Sequence, residues 1–261
     1  MPNDSQHGRF VWYELMTTNP DAATQFYADV TGWGTMPFND VGITYKFWMN
    51  GEAPTGGLME LPQELAASGV PPHWLPYVAV DDCDATVERA KQLGARVTVP
   101  PTDIPNVGRF SVLMDPQGAV FAIVKESTPP ERDDSRPKRG EVSWHELMTT
   151  DSGAAFDFYS KLFGWQKTTA MDMGDLGTYQ MYGTGKLELG GMYNKPPSVP
   201  APPNWMIYVK VPDADQAAAT VRQRGGQVIN GPMDVPGGGR IAQCLDPQGA
   251  AFAVHSDAAA G

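Results

Sequence analysis

Apolar and polar positions alternate through "FVWYELMT", residues 10–17, which predicts a strand carrying Trp12, Glu14 and Met16 on one face. In "NPDAATQFYADV", residues 19–30, the period changes. Ala22, Phe26 and Val30 fall four apart, Asn precedes Pro at the start and an acid sits in the first turn, so a helix is predicted. "TYKFWM" and "GGLMEL" are strand-like and are separated by Gly and Pro. "WLPYVAV" predicts another strand, and "DDCDATVERAKQLG" a helix stopped at Gly94. Three strands follow in "ARVTV", "RFSVLM" and "AVFAIV", the last two joined by the turn sequence "DPQG". The order is β-α-β-β(-β), then β-α-β-β-β, a pair of similar units.

The whole pattern then repeats. Trp12, Glu14, Phe26-Tyr27 and Gly32-Trp33 return as Trp144, Glu146, Phe158-Tyr159 and Gly164-Trp165. "GG" at 56–57 returns at 190–191, "PPHWLPYVAV" as "PPNWMIYVKV", and "DPQGAVFAIV" as "DPQGAAFAV". Matched chemistry along two halves, with an offset that drifts by only a few residues, marks an internal duplication. The stretch "ESTPPERDDSRPK", rich in Pro and charge and poor in apolar groups, has linker composition. Domains are therefore expected at 8–125 and 139–256, with a linker at 126–138.

Composition narrows the classes of function. Thirty carboxylates against 19 Lys and Arg leave a formal charge of −11, and no basic stripe stands out, so neither nucleic acid nor an anionic membrane is an expected partner. The N-terminus lacks an apolar signal-like run, and no apolar stretch approaches the roughly 20 residues that span a bilayer. The two cysteines, Cys83 and Cys244, occupy non-matching positions of the repeat and are expected to be free thiols. A cytoplasmic protein, monomeric or homodimeric, is the expectation. "GTGK" at 183–186 lacks the spacing of a phosphate loop, and no G-x-S-x-G elbow occurs.

Four βαβββ units in two pairs, "FY…GW" closing the first helix, "GG" before a strand and "DPQGA" before the last strand together resemble the vicinal oxygen chelate superfamily. The likeness is to its tandem glyoxalase/bleomycin-resistance/dioxygenase-like members and covers nearly the whole chain. The resemblance implies an α+β fold of two domains, each with a cup-shaped mixed sheet. It also implies, in the metalloenzymes of the family, a divalent ion held by His, Glu or Gln from four strands. Those ligand positions map to Trp12, Glu60, Leu75 and Ala122 in the first half. In the second half they map to Trp144, Asn194, Met206 and Ala253. Only Glu60 is a weak candidate ligand, so neither metal nor any other cofactor is expected.

In place of an ion, strand alternation puts apolar groups and one acid into each cup. Trp12, Glu14, Met16, Leu75 and Tyr77 are the expected ligand-binding residues of the first half, and Trp144, Glu146, Met148, Met206 and Tyr208 those of the second. An acid in apolar surroundings is costly unless paired or protonated. Three roles stay open for Glu14 and Glu146. They can be structural acids bonded to Tyr77, Tyr208, backbone, Arg109 or Arg240; they can anchor a cationic or hydroxylated ligand; or they can act as general bases. His73 and His145 have Asn204 and Tyr13 as counterparts, and "HELMT" lacks the second His of a zinc helix. The expected function is binding of a small organic molecule, for sequestration or detoxification, in metal-free apolar cups. The alternative is a lyase, isomerase or hydroxylase/dioxygenase-like enzyme using Glu14 or Glu146 as base or an atypical metal site.

Overall fold

The computed structural model describes residues 6–38, 44–130, 132, 136–185, 187–236 and 238–258. The first half runs β1 (Phe10–Thr17), α1 (Pro20–Thr31), β2 (Gly34–Phe38), β3 (Tyr45–Asn50), β4 (Ala53–Glu60) and a short α2 (Gln63–Ala67). It continues through β5 (His73–Ala79), α3 (Cys83–Gln92), β6 (Arg96–Ile104), β7 (Gly108–Met114) and β8 (Val120–Glu126). The second half repeats this as β9 (Val142–Thr149), α4 (Ser152–Phe163), β10 (Gln166–Asp172), β11 (Thr178–Gly183) and β12 (Glu188–Asn194). It ends with β13 (Asn204–Lys210), α5 (Ala214–Gln223), β14 (Gln227–Asp234), β15 (Arg240–Leu245) and β16 (Ala251–Ser256). Each half makes one eight-stranded sheet, β2-β3-β4-β1-β5-β8-β7-β6 and β10-β11-β12-β9-β13-β16-β15-β14. The sheets are mixed, with β1–β4 and β5–β8 parallel and the remaining registered pairs of the first sheet antiparallel. The expected α+β arrangement of four βαβββ modules is therefore present. Among the described residues no helix is long and apolar enough to cross a membrane.

The helices begin where a short polar side chain can take an orphaned amide. Asn19 accepts from the Ala22 amide at 3.0 Å, and Asp82, Asp151 and Asp213 do the same for α3, α4 and α5. Helices α1 and α4 stop at Gly32 and Gly164, whose φ of 82° and 73° would strain any residue with a Cβ. Those glycines turn the chain so that the next residue, Trp33 or Trp165, enters the core.

By contacts the chain divides into two compact units. One comprises Met1–Trp12, Leu75–Ser135 and His145–Trp205; the other comprises Tyr13–Trp74, Arg136–Trp144 and Met206–Gly261. Each unit thus draws helix-bearing modules from both halves of the sequence. In the second, α1 lies against α5 and the core gathers Phe26, Tyr27, Trp33, Trp48, Trp74 and Phe252. The buried Tyr27 hydroxyl donates to Asp246 Oδ2 at 3.2 Å and accepts from Trp74 Nε1 at 2.9 Å. Asp246 Oδ1 in turn takes the amides of Gln248 and Ala250. The first unit holds the same set. Tyr159 donates to Asp115 at 3.0 Å and accepts from Trp205 Nε1 at 3.1 Å, and Asp115 Oδ1 takes the amides of Gln117, Gly118 and Ala119. Trp33 Nε1 reaches the Gly140 carbonyl and Trp165 Nε1 the Gly8 carbonyl, each at 2.7 Å. In each unit the "FY" tyrosine and the "DPQG" aspartate accordingly share a bonded network, and the "GW" tryptophan makes a separate bond; both link segments from the two halves of the sequence.

Three further residues bear on the sequence expectations. Cys83 and Cys244 are free and buried, and burial pushes their thiols up to about 11 and about 12. His145 lies on the face of β9 opposite Glu146. Its ring stacks on Phe10 with centroids 3.8 Å apart, and Nδ1 donates to the Leu189 carbonyl at 2.7 Å. Burial lowers its pKa to about 4.

Replacing Tyr27 with Phe leaves the Trp74 N–H and an Asp246 oxygen without this partner and should cost about 1–3 kcal/mol, read as a lower denaturant midpoint. An unchanged midpoint would count against the network's role. His145 is neutral when folded but ionises near 6.5 when unfolded, so the unfolded chain binds the extra proton between those values. Stability contributed by keeping His145 neutral is therefore present above about pH 6.5 and lost as pH falls toward 4, by at most about 3 kcal/mol. His145→Tyr, the residue at the matching first-half position, should flatten that part of the stability–pH curve; an equally steep curve in the variant refutes the assignment.

Candidate functional site

In the unit that carries it, the site of the first half starts from the Gly-Gly pair on β4. Parallel pairing sets Glu14 opposite Gly57 and Met16 opposite Met59. On the far side of β4, antiparallel β3 sets Phe47 opposite Gly57 and Tyr45 opposite Met59. These residues share one face of the sheet. The two glycines serve different purposes. A Cβ on Gly56 would overlap the Tyr13 carbonyl, so the first glycine permits close approach of β4 to β1. A Cβ on Gly57 would overlap the Tyr45 hydroxyl, so the second clears a path for the phenol to lean across β4. Tyr45 thereby donates to Glu14 Oε2 at 2.9 Å.

The second half builds the same arrangement in the other unit. Glu146 stands opposite Gly191 and Met148 opposite Tyr193. A Cβ on Gly190 would overlap the His145 carbonyl, and one on Gly191 the Tyr179 ring. Tyr179 donates to Glu146 Oε2 at 3.0 Å. Both acids are only 7% exposed, while Trp12, Met16, Trp144 and Met148 on the same strand faces are half-buried. Each face thus offers a carboxylate braced by a phenol next to tryptophan and thioether surface. A carboxylate has about four acceptor directions, and in each half the phenol takes one of them.

Tyr45 and Tyr179 were not among the residues expected from sequence, which named Tyr77 and Tyr208 as phenol partners. The signal was present. "TY" at 44–45 and 178–179 shares the 134-residue offset of the Gly-Gly pairs. Arg109 and Arg240, the other partners considered, are engaged elsewhere. Arg109 bonds Asp84 at 2.7 Å and Asp103 at 2.9 Å, and Arg240 bonds Asp215 and, at 2.8 Å, Asp234. Leu75 and Tyr77 are buried on β5, where Tyr77 pairs with Ala122 and turns its ring toward Phe110. Met206 is half-buried on β13, and Tyr208 pairs with Ala253 and accepts from Gln243 Nε2 at 2.7 Å.

The ligand positions implied by the family resemblance do not fit a divalent ion. Trp12, Leu75 and Ala122, and likewise Trp144 and Ala253, offer no oxygen or imidazole lone pair, and Met206 offers only a soft thioether. Strand register also corrects the Glu60 candidate. Glu60 pairs with Thr17, on the face of the sheet away from Glu14, and its side chain is exposed. Its counterpart Asn194 pairs with Thr149 and caps α4 through the Ser152 amide at 2.7 Å. Met59 and Tyr193 occupy the site face instead. Among the described residues no three His, Cys, Asp or Glu side chains converge.

Comparison with known proteins bears on this geometry. The Mn(II)-bound glyoxalase of Novosphingobium aromaticivorans superposes with a TM-score of 0.62 at 16% identity, covering 97% of this chain and 82% of that one. The 2,3-dioxygenase LapB of Pseudomonas sp. KL28 gives 0.66 at 12% identity, covering 97% and 94%. At these identities the likeness is one of fold. Among curated sequences, the protein named "Putative glyoxylase CFP32" of Mycobacterium tuberculosis is 36% identical over 262 residues, covering 97% of each chain. The anthracycline biosynthesis protein DnrV of Streptomyces peucetius is 30% identical over 264 residues, covering 95% of this chain and 92% of its own. The sequence model of one superfamily matches residues 9–123 and again 142–254, the two halves of the repeat. The chain belongs to the Glyoxalase/Bleomycin resistance protein/Dioxygenase superfamily.

Proposed function

We propose that this protein binds a small planar aromatic molecule on the carboxylate-bearing face of each sheet, without a metal ion at the family's ligand positions. The observation that carries the reading is the pair of matched constructions Glu14–Tyr45 and Glu146–Tyr179, each built over a glycine that exists to admit the phenol. Half-buried Trp12 and Trp144 supply stacking surface, Met16 and Met148 supply adaptable packing, and the acid fixes orientation by accepting from a ring hydroxyl. Relatives named for anthracycline biosynthesis support an aromatic, hydroxylated ligand. Sequestration or carriage of such a compound in the cytoplasm is the role this site suits. A second reading, with either acid acting as a base, draws on the relatives named as glyoxylases; it differs in that the ligand is consumed rather than retained.

Seven tryptophans make the test direct. Titration with a hydroxylated tricyclic aromatic should quench tryptophan emission saturably, and the ligand should be recovered unchanged. Glu14→Gln combined with Glu146→Gln should weaken binding about ten- to a hundredfold while the melting temperature stays within a few degrees, since a charged acceptor contributes roughly 1.5–3 kcal/mol. Full affinity in the double variant would make both acids structural. Protein purified without chelator should carry well under one divalent ion per chain; stoichiometric metal would overturn the metal-free reading.

A further inference from the structure

The two sites are not copies of each other. Tryptophan, acid, methionine, glycine and phenol recur, but Met59 in the first is replaced by Tyr193 in the second. Tyr193 stands next to Tyr179, the rings 5.9 Å apart at 22°, and it feels the charge of Glu146. Tyr179, and not Tyr193, is the phenol hydrogen-bonded to that carboxylate. No hydrogen bond ties the Tyr193 hydroxyl to another described residue, and it is not among the sealed side-chain atoms that lack a partner. On a half-buried residue, such a hydroxyl opens toward the space over the sheet face.

A phenol that no described residue engages can do something a thioether cannot. It donates a hydrogen bond to an oxygen of whatever lies on the face. Burial, followed by the Glu146 charge, pushes the Tyr193 pKa up, so it stays protonated and remains a donor across the physiological range. Glu146, as a carboxylate, only accepts. The second site therefore presents an acceptor and a donor side by side, whereas the first presents the acceptor with apolar surface.

We propose that the Glu146 site selects aromatic ligands that carry a ring carbonyl oxygen as well as a hydroxyl. Tyr193 donates to the carbonyl, and the Glu14 site, with Met59, takes the same ring with no demand for that oxygen. The inference rests on the aromatic-binding reading above but can fail separately from it. An unmatched polar group at a partly closed site is what gives selectivity, because a ligand lacking the carbonyl leaves the phenol without a partner.

Two stable probes differ by that one group: 2-hydroxyfluorene and 2-hydroxy-9-fluorenone. Calorimetric titration of the intact chain should resolve two sites for each. One site should prefer the ketone by roughly tenfold, and the other should bind both probes about equally. Tyr193→Phe should erase the preference, bringing the two probes to equal affinity at that site, and Met59→Tyr should create a preference at the other site. Binding of both probes with no ketone preference, or a preference that survives Tyr193→Phe, overturns this inference and leaves the aromatic-binding reading standing. No binding of either probe overturns both.

Discussion

Within each unit a buried phenol bonded to a buried aspartate ties segments from the two halves of the sequence together. Tyr27 with Asp246, and Tyr159 with Asp115, each join a helix of one half to a strand turn of the other, and a tryptophan N–H closes each set. Burial raises the pKa of both aspartates, and backbone amides and the phenol oppose that shift. A network of this kind is stable only when complete, because each member left alone would be a polar group cut off from water. That requirement makes the partner of each module specific. Aromatic packing around Tyr27 and Tyr159 could be met by many hydrophobic surfaces, but an aspartate held in a turn of amides is offered by the two "DPQG" turns, at Asp115 and Asp246.

The site faces follow from a different constraint, the space between strands. Gly56 and Gly190 allow β4 and β12 to approach β1 and β9, and Gly57 and Gly191 allow a tyrosine to cross the sheet surface. Backbone geometry of this sort determines which phenol meets which acid. It also leaves the positions two residues beyond each glycine pair, Met59 and Tyr193, facing the same way as the acids but under no such steric demand. At that position the two halves differ, methionine in one and tyrosine in the other.

Much of this was legible in the chain itself. Alternation, the Asn-Pro and Asp helix starts, the Gly-Trp helix ends and the repeat at a nearly constant offset led to four modules and two mixed sheets. The acids at 14 and 146 were correctly singled out as buried. Their partners were not, because a tyrosine that leans diagonally over a neighbouring strand cannot be paired from strand periodicity alone. The Glu60 assignment failed for a related reason. Glu60 came from the family's ligand positions, and the register of β4 with β1 sets it opposite Thr17, one residue from the site face. The bonded roles of "FY", "GW" and "DPQG" were equally hidden, since their partners lie in the other half of the sequence.

The exchange of modules between halves carries an evolutionary consequence. Helix faces that fit a counterpart from the other copy, as α1 fits α5, are sterically tied together. Sheet faces carry no such obligation. After duplication, selection could therefore hold the scaffold constant while each copy drifted toward its own chemistry, a freedom that a lone ancestral copy pairing with its twin would not have had.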